Sequence, residues 1–324
     1  MAFKTRITEM LGIQHPIVMG GMAGIGKAKL AAAVSNAGGL GMLSGLTAGS
    51  PENLVKEIEK TRALTDKPFG VNLTIFPTIN SPPYDLYRKA IIEAGVKVVE
   101  TASGVSPKEH WDDLRANGVT IIHKCTSVRH ALSAEKNGVH IVSIDGFECA
   151  GHPGEDDIPG LVLIPAAADK VKIPIIASGG IGDGRGLVAC LALGAGGVNM
   201  GTRFCGTQEA ELHENFKNKM IEHDERSTNL VFRTMHNTAR VAKNTISDKV
   251  VQIEKDGGKF RDVRELVAGD RGRAALASGD TEDGMWWASM SQVFVNDIPT
   301  AKELIDRMIS EAEAIVKRQY AFIA

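Results

Sequence analysis

The sequence is short of the features that mark a specialised chain. Only four cysteines occur, Cys125, Cys149, Cys190 and Cys205, and none stands in paired C-x-x-C spacing. That argues against a disulfide framework or a local zinc motif and for reduced thiols. Charge of one sign is not in excess: the formal net charge is -2, with no long basic stripe, so nucleic acid has no electrostatic foothold. No run reaches the roughly 20 apolar residues of a spanning helix, and the opening MAFKTRITEMLGIQHP has no signal-peptide core. A cytoplasmic protein without a membrane partner is expected. What the chain does have is core-forming material, with 43% hydrophobic and 23% charged residues over 324 positions. This suits two ordinary domains or one large α/β barrel with an extension.

From His15 onward a unit repeats: a short apolar strand, a glycine-containing loop, then an amphipathic helix. The strands read as 16–19, 40–44, 69–74, 96–101, 120–124, 141–144, 174–178 and 197–200. Helices follow at 27–36, from Pro51 through ENLVKEIEKTRAL, 84–94, 107–117, 127–137, 160–170 and 185–193. Pro51 suits a first helical turn, where no amide donor is needed, and Ser127 suits an N-cap. A proline-rich loop (Pro77, Pro82, Pro83) precedes the helix at Tyr84. Eight such units predict an α/β fold, a (β/α)8 TIM barrel. A doubly wound open sheet competes less well, because no G-x-G-x-x-G opens a unit.

After Phe204 the rhythm breaks. Residues 207–284 read as a smaller, charged, helical subdomain over the barrel mouth, including the apolar-basic run RSTNLVFRTMHNTARVAKN. Residues 285–324 return to the barrel, and 300–320 form one amphipathic helix by the spacing of Leu304, Ile305, Met308, Ile309, Ala312, Ile315 and Val316. The organisation is thus 1–206, 207–284 and 285–324.

A TIM barrel builds its active site at the C-terminal ends of its strands. Those ends are Gly20-Gly21-Met22, Ser44, Asn72, Thr101, Lys124, Asp145, Ser178-Gly179-Gly180 and Gly201-Thr202. The glycine-rich ends of strands seven and eight expose amides where barrels bind phosphate, commonly with a helix N-terminus adding its positive end. Asn72 offers an amide and Lys124 a cation that suit the polar edge of a planar ring, so a non-covalently bound flavin mononucleotide (FMN) fits. The longest polar loop follows strand six, in IVSIDGFECAGHPGEDDIPG, where His152 sits among glycines and the carboxylates Glu148, Glu155, Asp156 and Asp157. Isolated histidines are usually structural, but loops at strand ends carry function.

The stretches HPIVMGGM, NAGGLGMLS, PFGVNLT, HKC, IDGFECAGHPGEDD, IIASGGIGDGRG and MGTRF resemble the nitronate monooxygenase (2-nitropropane dioxygenase) family of FMN-dependent TIM-barrel oxidoreductases over nearly the whole chain. The form GFECAGHPGEDD is most similar to the branch of NADH:quinone reductases. The resemblance implies that Gly21, Met22, Asn72, Lys124, Asp145, Ala150, Gly151, Ser178, Gly180, Gly201 and Thr202 line FMN, with Gln292 a weaker candidate and Gly179 joining through its glycine pair. It makes His152 the active-site histidine. Met22 is followed by Ala-Gly-Ile-Gly, smaller than the residues expected in the reductase branch, so this wall of the substrate pocket differs.

Two activities are implied. One is NAD(P)H:quinone oxidoreduction by ping-pong hydride transfer through FMN, with NADH or NADPH as co-substrate. The other is oxidation of alkyl nitronates with O2 to a carbonyl compound and nitrite, with His152 assisting the substrate or acting as base. A Cys149–His152 hydrolase is disfavoured, since residues this close in sequence rarely aim at one centre. A metal held by His152, Glu155, Asp156 and Asp157 is disfavoured as a solvated acidic rim, so no metal is expected. The partner is a small-molecule substrate, and the residues leave a homodimer open.

Overall fold

The computed structural model describes residues 3–75, 81–104 and 106–319. Pro77 and Tyr320 lie outside them. Eight parallel strands form the barrel: β1 (Ile17–Met19), β2 (Gly41–Ser44), β3 (Phe69–Thr74), β4 (Val98–Ala102), β5 (Thr120–Cys125), β6 (Ile141–Asp145), β7 (Ile175–Ser178) and β8 (Gly197–Met200). Neighbours in sequence are neighbours in space from β2 to β8, and β8 returns to β1 with Val18 opposite Asn199. The ring closes through the single bridge Val18–Leu40, where Met19 N–H donates to Leu40 and Leu40 N–H to Ile17, each at 2.9 Å. Buried on both faces, these strands read as apolar runs without alternation.

A short helix the sequence reading did not include, α1 (Arg6–Leu11), precedes the barrel, and the outer layer then follows the expected helices: α2 (Ala28–Asn36), α3 (Pro51–Leu64), α4 (Tyr84–Glu93), α5 (Lys108–Ala116), α6 (Val128–Lys136), α7 (Gly160–Ala168) and α8 (Gly184–Ala192). Ser50 caps α3 by accepting from the Asn53 amide at 3.2 Å, with Pro51 in the first turn. Ser127 caps α6 through the His130 amide at 3.2 Å. Close packing of helix on strand decides Gly41, where a Cβ would meet the Ala31 carbonyl oxygen at 1.8 Å. The eighth barrel helix is far along the chain. It is α14 (Ala301–Gln319), which packs between α8 and α2 and buries Leu304, Ile305, Met308, Ile309 and Ala312. The smaller subdomain is therefore an insertion between β8 and its partner helix.

That insertion begins after the short α9 (Thr202–Cys205) and includes α10 (Glu214–Glu222), α11 (Thr245–Lys255), α12 (Phe260–Val263) and α13 (Gly269–Ser278). One part departs from the helical expectation. Within RSTNLVFRTMHNTARVAKN, β9 (Thr228–Val231) and β10 (Ala239–Ala242) pair as an antiparallel ribbon. Phe232 and His236 take positive φ (63° and 51°) on either side of a single 3-10 turn, Arg233–Met235, a conformation that stops an α-helix from continuing there. The insertion has two small cores of its own, one around Phe216, Met220 and Trp286, the other around Val231, Val241, Val250 and Val263.

Candidate active site

Strand register gathers polar side chains at the upper end of the barrel interior. Asn72 lies opposite Glu100, Lys124 opposite Ser143, Asp145 opposite Ser178, and Ser178 opposite Asn199. Among them Glu100 is completely buried and accepts from three donors. The Gly21 backbone N–H (2.9 Å) and the Asn72 amide (2.8 Å) share Oε1, while the Asn199 amide reaches Oε2 at 2.6 Å. A buried carboxylate is tolerable only with such complete satisfaction. Sequence reasoning passed over Glu100 and Asn199. A carboxylate inside an apolar strand was the available signal, since burial forces it to be partnered.

Thr101, one residue on, is turned the other way by strand alternation. It contacts Trp111 and His123 between barrel and helices, and so lies outside the mouth. Ser44 does reach the site's edge as a brace, accepting from Met22 N–H at 2.7 Å and donating to the Met22 carbonyl at 2.9 Å.

Lys124 and Asp145 form an ion pair, with Nζ 3.1 and 3.3 Å from the two carboxylate oxygens. Burial opposes the charge on Lys124, but the carboxylates of Asp145 and Glu100 outweigh it and hold the ammonium above its ordinary range. The group is a fixed cation at neutral pH.

The first loop comes within reach of strand three because Gly21 has no side chain, since a Cβ there would meet Asn72 Cγ at 2.2 Å. Met22 then lies beside Gly201, whose added Cβ would stand 3.4 Å from Met22 Cγ. Gly179 and Gly180 both take positive φ (92° and 74°), turning the end of β7 under the loop that follows β6. The expected helix N-terminus is already satisfied here. Asp183 caps α8 through the Arg185 and Gly186 amides, and Glu311 accepts from Gly184 N–H at 2.8 Å. A phosphate at this end would rest on the glycine turn after β7 and on the Gly201-Thr202 turn after β8, and not on the start of α8. Thr202 is buried, with its hydroxyl accepting from Ser289 N–H at 3.0 Å.

The loop after β6 carries Ala150, Gly151 and His152. It is fixed to the ribbon of the insertion by a reciprocal backbone pair, Gly151 N–H to Arg240 at 3.1 Å and Arg240 N–H to Gly151 at 2.6 Å. Arg240 also donates to the Phe147 carbonyl and covers the Phe147 ring at 4.5 Å. The His152 ring is half-buried, 6.0 Å from the ring of Trp287. Burial lowers its pKa, with Glu155 opposing, which keeps the imidazole neutral at physiological pH.

Two of the acidic residues around His152, Glu155 and Asp157, are clamps. Glu155 accepts from Thr238 N–H at 2.8 Å, and Asp157 binds Arg233 at 2.6 Å. Cys149 is buried, and burial pushes its thiol well above the ordinary range, opposite to what a nucleophile needs. Gln292 is fully buried, and its amide is engaged by His223 at 2.9 Å and by the Ser227 carbonyl at 2.6 Å, tying barrel to insertion.

The residues gathered at the strand ends are of the kind that could hold a flavin. Glycines stand where a Cβ would collide, a paired cation is fixed in a polar floor, and amide-rich turns end β7 and β8. A TIM barrel with this polar floor at its strand ends has the layout of an enzyme active site. A family model described as nitronate monooxygenase matches residues 4–311, and the chain belongs to that family of FMN-dependent oxidoreductases.

Three relatives frame it. A protein of Rhodococcus jostii named (3aS,4S,5R,7aS)-5-hydroxy-7a-methyl-1-oxo-octahydro-1H-indene-4-carboxyl-CoA dehydrogenase is 32% identical, covering 95% of this chain and 96% of that protein. The structure of FabK from Thermotoga maritima superposes with a TM-score of 0.91 at 36% identity, covering 98% of this chain and 99% of that one. The nitroalkane oxidase of Streptomyces ansochromogenes gives a TM-score of 0.84 at 26% identity over 96% and 99% of the two chains. Among the described residues no helix is long and apolar enough to cross a membrane.

Proposed function

We propose that this chain binds FMN non-covalently at the strand ends and acts as an NAD(P)H:quinone oxidoreductase in the cytoplasm. The observation that carries the reading is the Lys124–Asp145 pair set in a polar floor: a fixed cation there stabilises negative charge that develops on a reduced planar ring. Bound FMN would supply two-electron chemistry, accepting hydride from a nicotinamide and passing electrons to the acceptor. Gly21, Met22, Asn72, Lys124, Asp145, Ala150, Gly151 and Ser178 would hold its ring, and Gly179, Gly180, Gly201 and Thr202 its phosphate end. Gln292 would contribute through the barrel–insertion junction.

His152, neutral and next to an aromatic face, suits hydrogen bonding or proton exchange with a quinone oxygen. Residues 207–284 would serve as the substrate-facing lid on a barrel of residues 1–206, completed by 285–324.

The second reading, nitronate oxidation with His152 as base, is favoured by family membership and the nitroalkane oxidase likeness. Anaerobic stopped-flow absorbance of the yellow protein separates the two. Bleaching by NADH or NADPH with recovery on benzoquinone supports the reductase. Failure with both nucleotides, together with reduction by 2-nitropropane nitronate, rejects it in favour of the second reading.

A further inference from the structure

The outer face of β5 carries a cluster that the flavin site does not use. On a strand, alternate residues share a face, so His123 and Cys125 point away from the barrel interior while Lys124 between them points in. His130, in the first turn of α6, folds back over the same spot. The Nε2 atoms of His123 and His130 face one another at 3.2 Å, and the ligand atoms of His123, Cys125 and His130 all lie within 4.8 Å of each other. His123 and Cys125 are fully buried and His130 is half-buried, which leaves one way in from the helix side.

The surroundings fix the His123 ring. Thr101 Oγ1 accepts from Trp111 Nε1–H at 3.1 Å, donates to the Ile122 carbonyl at 3.4 Å, and lies 2.8 Å from His123 Nδ1. With the Thr101 hydroxyl turned to the Ile122 carbonyl, its remaining lone pair can take an Nδ1 proton, and in that tautomer His123 Nε2 presents a lone pair toward His130. Trp111 holds the ring edge-on at a centroid distance of 4.7 Å. A histidine whose far nitrogen donates to an oxygen, leaving Nε2 free to bind, is how metal-ligating imidazoles are oriented.

We propose that His123, Cys125 and His130 form a binding site for a transition-metal ion of the zinc class, with two imidazole nitrogens and one thiolate as protein ligands. Two nitrogens on a tetrahedral zinc stand roughly 3.3 Å apart, close to the spacing found, and sulfur and nitrogen stand roughly 3.6 Å apart. Closing the cluster therefore requires at most about 1 Å of side-chain movement. On binding, the Cys125 thiol loses its proton to solvent and His130 moves its proton to Nδ1, so one proton leaves for each divalent ion. The absence of C-x-x-C pairs does not speak to this site, because its spacing, H-x-C-x4-H, joins a strand to the following helix. A bound ion would cross-link β5 to α6 behind Lys124, and the inference does not depend on the identity of the electron acceptor.

The test uses the purified full-length flavoprotein, stripped with a chelator and dialysed against zinc chloride, or against cobalt(II) as a spectroscopic probe. One zinc per chain is expected, together with ligand-field bands of tetrahedral cobalt(II) beyond the flavin absorption and a thiolate-to-cobalt transition in the near ultraviolet. Cys125→Ala and His130→Ala, each retaining flavin and a native circular dichroism spectrum, should weaken zinc binding at least tenfold. A wild-type protein that shows no thiolate-to-cobalt transition overturns the proposal whether or not the variants fold. Zinc binding unchanged in both variants overturns it too, leaving a plain imidazole–imidazole hydrogen bond.

Discussion

Gly21 donates its backbone N–H to the side chain of Glu100, 79 residues away, at 2.9 Å. Through this bond a buried carboxylate on β4 sets the position of the loop after β1, the loop proposed to approach the cofactor. Glu100→Leu would strand three donors, the Gly21 amide and the side-chain amides of Asn72 and Asn199. Each buried unsatisfied group costs roughly 1–3 kcal/mol, so urea denaturation should show a large loss, and FMN retention should fall with it. Glu100→Gln restores one acceptor and should lie between. A Glu100→Leu protein as stable as the wild type would remove the carboxylate from its organising role.

Gly21→Ala addresses the same contact from the other side. With a Cβ 2.2 Å from Asn72 Cγ, either the loop or Asn72 must move. The expected result is a folded protein that releases FMN at least tenfold more readily, measured by flavin fluorescence on dilution.

His152→Ala should keep its yellow colour and lose turnover by roughly a hundredfold or more, the usual contribution of a positioned acid or base. Absorbance and steady-state rates on one sample decide the matter. Loss of flavin in that variant, with activity restored by added FMN, places His152 in cofactor binding instead.

Breaking the Lys124–Asp145 pair should cost more than removing it. Lys124→Met leaves an uncompensated carboxylate and should destabilise by roughly 3 kcal/mol, whereas adding Asp145→Asn recovers most of that. The reduction potential of the flavin should fall in both, since the cation is absent from each. Equal stability of the single and double variants would show that the pair is not coupled.

Acid should destabilise the protein through histidines as well as carboxylates. His15, His110 and His140 are all held below their ordinary range, in each case chiefly by burial. Charged neighbours modify this: Asp306, Lys302 and Glu313 act on His15, the Arg88, Asp85, Glu109 and Asp113 set on His110, and Arg115 on His140. Above about pH 6.5 neither folded nor unfolded chain protonates them, and as pH falls the unfolded chain takes up protons first, so stability is lost. Each such histidine contributes a slope of up to about 1.4 kcal/mol per pH unit. Nδ1 of His15 is the one buried side-chain polar atom without a hydrogen-bond partner among the described residues, which makes His15→Phe the clean test. Its urea midpoint should depend less on pH than that of the wild type.

The barrel was legible in the sequence because each strand is a short apolar run closed by glycine, a polar residue or a charge, and helices such as α3 and α6 carry their own start signals. Pro51 and Ser127 stand where the chain places a first turn and a cap. The β9–β10 ribbon was not legible. Its strands are four residues each, and the left-handed residues of its turn are Phe232 and His236 where asparagine or glycine would have announced them. Glu100 was obscured by its neighbour: Thr101 closes the strand in sequence, yet alternation sends Glu100 inward and Thr101 toward Trp111. The role of α8 was also invisible, because the Glu311 that occupies its N-terminus lies 127 residues later.

The reciprocal pair between Gly151 and Arg240 makes the His152 loop, in effect, an added edge of the β9–β10 ribbon. Main-chain pairing of this kind is indifferent to side-chain identity. Residues along the ribbon can therefore be exchanged, and the outline of the substrate chamber redrawn, while the imidazole keeps its address above the barrel. On the proposed function, catalytic position and substrate preference would be held by separable parts of one chain, which is the condition under which a single barrel can serve acceptors of different shape.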